Sequence, residues 1–197
     1  SNEYAAVHER RIAFIASEYW VISDLLLSDE EHDYDLLFHL SDKAFGKISV
    51  ESRNGTLLVD SPNLVIAQSH DANITASIGD GYVSPSYGIK HPAPVVRSTQ
   101  RGQSASFHTV LFPYKTECPE IAIENLEVFS GERTCLPEEA SGFCVTIRRG
   151  EQATCDYFLF VHQRQDEIHR FSDTNFQGAF LHLRKNFLGE LISRQAV

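Results

Sequence analysis

A chain of 197 residues, 42% of them apolar, has material for one large folded domain, or one with a small appendage, and is not a disordered segment. Its 27 acids against 17 bases leave a formal charge of −10, which argues against nucleic acid and anionic membranes as partners, since phosphate binding rests on concentrated Lys and Arg. No run approaches the roughly 20 apolar residues of a membrane helix; stretches such as Tyr157–Val161 are strand length.

In chain order, the start SNEYAAVHERR carries no signal-type apolar core. The chain has no Met at all, so a trimmed piece of a longer protein is the expectation. RIAFIA, YWVISDLLL, YDLLFHL, KISVES, TLLVD and NLVIAQS follow as short runs rich in β-branched and aromatic residues. Tyr34, Leu36, Phe38 and Leu40 alternate with Asp33, Asp35, Leu37 and His39, the pattern of a half-buried strand. Asn54-Gly55, between KISVES and TLLVD, predicts a tight hairpin. After it, GDGYVSPSYGIKHPAPVVR reads as a loop stiffened by Pro85, Pro92 and Pro94. SFHTVLF wants burial on both faces, as a central strand does. IAIENLEVF, GFCVTIRR, TCDYFLFVH, EIHRF, GAFLHLR and ELIS continue the series, and Ser130–Gly142 is the expected flexible loop. Turn signals about every 8–15 residues make this an all-β chain, a large antiparallel β-sandwich with a small additional C-terminal antiparallel sheet as an option. The expected division is a main sandwich over 1–155 and, over 156–197, last strands of it or an accessory sheet.

Chemistry is sparse. The four cysteines (Cys118, Cys135, Cys144, Cys155) lack C-x-x-C spacing, so a zinc site is not expected. Cys144 and Cys155 flank the turn at Arg149–Gly150 and could face each other across a hairpin, though buried free thiols are the commoner outcome. The nine His form no H-x-H or H-E-x-x-H, and His32 and His39 have opposite parity along one strand. There is no G-x-S-x-G elbow and no Gly-rich phosphate cradle. Acidic runs such as Asp29-Glu30-Glu31 read as solvated surface rather than a glycosidase pair. Asn54-Gly-Thr and Asn73-Ile-Thr match a glycosylation pattern that is frequent by chance. What remains is the Pro-rich stretch: Tyr87, Lys90 and His91 are the candidates for contact with a substrate or with another domain, with Tyr82 nearby and Arg97 and Arg101 adding charge downstream.

VHERRIAFIASEYWVISDLL, HDYDLLFHLS and GYVSPSYGIKHPAPVVR followed by FHTVLFPY resemble the C-terminal β-sandwich of heparinase II/III-like polysaccharide lyases. The matching positions are His8 and Arg10; Tyr19, Trp20 and Asp24; His32, Phe38 and His39; then Gly81 through Pro94. The resemblance implies an N-terminal α/α toroid, presumed to lie outside this sequence, and β-elimination on uronate-containing polysaccharide. It implies a partner in that helical domain, no nucleic acid or membrane, and a periplasmic or secreted setting. The family's catalytic and metal motifs are not found here, so no catalytic or metal residue carries over. No cofactor is expected in this piece, a divalent metal being implied only for the full-length protein. The resemblance thus points to a non-catalytic half that supports the catalytic domain and walls the substrate cleft. The rival is a free-standing carbohydrate-binding or structural sandwich.

Overall fold

The computed structural model describes residues 6–69 and 74–197; the Asn73 glycosylation pattern and His70 lie outside them. Sixteen strands and one three-residue 3-10 turn, Asp42–Ala44, make up the regular structure of the described residues. Every pairing is antiparallel. No described helix is long and apolar enough to cross a membrane. The chain forms two compact units, 1–118 and 119–197. Residue 155 lies within a strand paired on both sides.

The first unit holds β1 (Ala6–Ile15), β2 (Tyr19–His39), β3 (Ser49–Arg53), β4 (Thr56–Ser61), β5 (Leu64–Ser69), β6 (Ile74–Ser86) and β7 (Ile89–Pro113). Their order is β1-β2-β7-β5-β4-β3, with β6 paired to the first part of β7. At about 3.3 Å per residue, 25 residues of β7 would span roughly 80 Å if straight. The β2–β7 ladder breaks register between Leu27 and His32, opposite Gly102, and such bulges bend strands. The bend lets one sheet fold over itself. Tyr34 and Leu36 from one leg pack with Ala105 and Phe107 from the other, and Leu40, Val59, Ile66 and Val96 form a second cluster. The predicted alternation over residues 33–40 and the two-sided burial of Phe107–Val110 are both present.

Asn54 and Gly55 both take positive φ, 49° and 74°, in the two-residue turn joining β3 to β4. That is the left-handed geometry for which Asn-Gly is suited. The unit closes with Tyr114, whose hydroxyl donates to Asp60 Oδ1 at 2.7 Å and to Ser61 O at 3.0 Å. Burial, then the bond to Asp60, push its pKa up to about 12. A phenol with a raised folded pKa contributes its full stability below about pH 10. That contribution is lost as pH rises from there through about 12. Tyr114→Phe is expected to cost about 1 kcal/mol at neutral pH and to flatten the alkaline limb between those values; urea unfolding across that range checks it.

The second unit is a two-layer sandwich. Its larger sheet orders β16 (Leu191–Ala196), β15 (Phe180–Asn186), β12 (Gln152–Val161), β11 (Ala140–Arg149) and β8 (Glu120–Leu126). The smaller orders β10 (Arg133–Thr134), β9 (Val128–Ser130), β13 (His169–Phe171) and β14 (Thr174–Phe176). Leu159, Val161, Leu181 and Leu183 meet Val128, Phe171 and Phe176 between the layers. The stretch Ser130–Gly142, expected as a loose loop, contains β10 and the start of β11. Arg133 forks onto Glu139, whose carboxylate also accepts from the Leu136 N–H and is held at about 2, mainly by Arg133. None of the four cysteines, all among the described residues, is in a disulfide. Cys144 pairs with Tyr157 and Cys155 with Thr146, so the two thiols sit diagonally, one pair of residues out of register for facing each other.

Candidate functional site

The Pro-rich stretch is not a loop but the end of the β6–β7 hairpin, turned at Tyr87-Gly88, where Gly88 takes φ 76°. Proline disfavours a strand because it removes a ladder N–H, and the register shows why these are tolerated. The Leu40 N–H donates to Pro94 O at 3.0 Å, so Pro94 turns its main chain toward β2. Pro92, two residues away, faces the same side beyond the end of β2 at His39, where no ladder bond is lost. The ladder to β6 is kept through Val83↔His91 and Gly81↔Ala93. Pro85 falls at the register shift between Val83 and Ser86. Gly81 is required by close approach: a Cβ there would collide with the Val95 side chain.

Tyr87 stands fully exposed at the turn. Lys90 Nζ lies 3.7 Å from the centre of the Tyr82 ring, a cation–π contact that holds the ammonium on one face of the hairpin. Tyr82, Val83, Ser84, Gly88, Ile89 and Lys90 line a shallow concavity of about 380 Å³. Ser84 braces the turn by donating to Ser86 O and Ile89 O at 3.0 and 2.8 Å. His91 does something else. Its Nδ1 donates to Asp42 Oδ2 at 2.8 Å, tying the hairpin to the capped turn Asp42–Ala44. That bond, then one from Ser41, holds the partly exposed Asp42 carboxyl below its usual value. Of the three residues read from the sequence, Tyr87 and Lys90 share the exposed tip, while His91 anchors its base. Tyr82, which the sequence reading treats only as a neighbour, is the ring that positions Lys90. Arg97 and Arg101 are in exposed ion pairs with Asp35 and Glu31.

A second polar feature lies in β1 and β2. Asp24 is fully buried and accepts from His8 Nε2 at 2.6 Å, Arg10 Nε at 2.6 Å and Arg10 Nη2 at 3.1 Å. Arg10 sits directly opposite Asp24, with His8 two residues along. The same pattern recurs in the second unit. Asp156 sits opposite Arg184 and accepts from its Nε and Nη2 at 2.8 Å, and from His182 Nε2 at 2.7 Å. These are His-x-Arg strands clamped to an aspartate strand, one open to solvent and one buried. Among the described residues no group of three or more His, Cys, Asp or Glu is placed to hold a metal ion.

The fold and its hairpin define an all-β antiparallel domain that displays aromatic rings and a positioned cation on an extended arm. The family model for heparinase II/III-like, C-terminal, matches residues 1–125, and the chain belongs to that family. No curated protein sequence matches it.

Proposed function

We propose that this chain is the non-catalytic C-terminal β-part of a polysaccharide lyase acting on uronate-containing chains by β-elimination. The observation that carries this reading is the family match over residues 1–125, which includes the whole β6–β7 hairpin. In such a reaction the uronate charge is neutralised, a base removes the C5 proton and an acid protonates the leaving oxygen. Those groups we assign to other parts of the parent protein, chiefly its helical domain. The hairpin's share is positioning: Tyr87 offers a flat face to a sugar ring, and Lys90, held over Tyr82, offers a fixed positive charge to a carboxylate.

In the full-length enzyme, Tyr87→Ala with Lys90→Ala is expected to lower kcat/KM about tenfold, the loss of one aromatic and one charged contact. The melting temperature should not move, because Tyr87 packs on nothing and the Lys90–Tyr82 contact is at the surface. Unchanged kinetics would remove the hairpin from substrate handling. The 197-residue chain alone should yield no unsaturated uronate product, read by absorbance, on heparin, heparan, alginate or hyaluronan. Turnover abolished by a substitution in this chain would favour an enzyme complete in itself.

A further inference from the structure

A strip of exposed side chains runs along β1 of the same sheet, away from the hairpin tip. The even-numbered residues of β1 (His8, Arg10, Ile12 and Phe14) share one face and stay exposed, while the alternate residues toward Ile15 are progressively buried. Phe14 stacks on Trp20 of β2, with ring centres 4.6 Å apart at 24°. The pair is nevertheless half open, 50% and 39% exposed. At about 3.4 Å per residue the strip runs roughly 20 Å from the aromatic pair to His8. β1 is the outermost strand, so the strip follows the sheet's edge.

We propose that this strip binds an acidic oligosaccharide, with Phe14 and Trp20 against a sugar face and Arg10 and His8 on a carboxylate. Two features favour a sugar over a protein surface. The apolar part is a narrow aromatic line rather than a broad patch, and its polar end is preorganised. Asp24 fixes both the His8 and the Arg10 side chain, which remain 48% (His8) and 40% (Arg10) exposed, so little rotamer entropy is lost on binding. Two of the five guanidinium N–H groups serve Asp24, and the rest of this half-exposed group can meet an acceptor from solvent. The guanidinium donors of Arg10 that Asp24 leaves over suit a carboxylate, which accepts charge-assisted bonds more strongly than a neutral hydroxyl does. The argument rests on the strip itself, so the hairpin reading can fail without it.

Trp20 is the single tryptophan of the chain, which makes its emission a reporter of this strip. Titration of the 197-residue chain with an alginate tetrasaccharide is expected to shift or quench that emission saturably. A neutral cellulose tetrasaccharide should do so at least about tenfold more weakly. Phe14→Ala, at an exposed position, should fold normally and weaken the acidic ligand about tenfold. Tyr87→Ala with Lys90→Ala should leave the titration unchanged. Silence with the acidic sugar would overturn the proposal, as would an equal response to the neutral one. Emission that changes on dilution without sugar would overturn it too, by showing that a second copy covers the strip.

Discussion

Asp156→Asn is expected to destabilise the C-terminal unit by about 3–5 kcal/mol in urea unfolding, with early loss of amide protection in β12 and β15. The carboxylate is completely buried, and so nearly are the groups it serves: His182 is 1% exposed and Arg184 7%. Three hydrogen bonds of 2.7–2.8 Å converge on it. Removing the negative charge leaves a guanidinium in a low-dielectric setting without its counter-ion, the costly half of a buried ion pair. His182 has little freedom to compensate. Its ring is stacked at 4.9 Å and 13° on Phe158, and its Nδ1 has no hydrogen-bond partner among the described residues.

Asp24→Asn supplies the control, because the residue types and register are the same and only the exposure differs. There His8 and Arg10 are about half solvated and can be rehydrated, so the expected cost falls to about 1–2 kcal/mol. Equal costs at the two sites, or a loss under 1 kcal/mol at Asp156, would mean that burial does not govern these clamps.

The fold class was legible because its signals are local. Asn54-Gly55 names its turn type from two residues, and the alternation from Asp33 to Leu40 needs only one strand to be read. What escaped were features that depend on pairing. Pro92 and Pro94 look like loop residues until the register shows that their missing N–H groups face the side that β2 vacates after His39. The clamp at Asp156 escaped because its partners lie 26 and 28 residues downstream, and His182-Leu183-Arg184 resembles any half-buried strand. His8, Arg10 and Asp24 were reached through the family pattern, yet nothing in that pattern announced that all three share one network.

The candidate site divides in the same way. Tyr87 and Lys90 were readable as an aromatic and a cation near a turn, and both are at the hairpin tip. The opposite roles of Lys90 and His91 were not readable, since alternation sends neighbours to opposite faces only once the stretch is known to be a strand. Seen as a strand, Lys90 joins Tyr82 while His91 turns to Asp42.

Phe171→Ala is expected to cost about 3–5 kcal/mol, and a second substitution tells why. Phe171 is 1% exposed, packs edge-on to Tyr157 and joins the two layers of the C-terminal sandwich. Its ring lies directly over Gly142 of β11. A Cβ at Gly142 would come within 2.7 Å of two Phe171 ring carbons and 2.9 Å of Val128 Cγ2, so glycine is there to admit the ring. Gly142→Ala alone should therefore overpack the interface and cost about 1–3 kcal/mol. In the Phe171→Ala background the same methyl would enter the vacated space, and the double variant should be more stable than the sum of the two losses by about 1 kcal/mol or more. Strict additivity in urea unfolding of the four chains would show that Gly142 and Phe171 are not one packing unit, and that the glycine answers to the strand rather than to the ring.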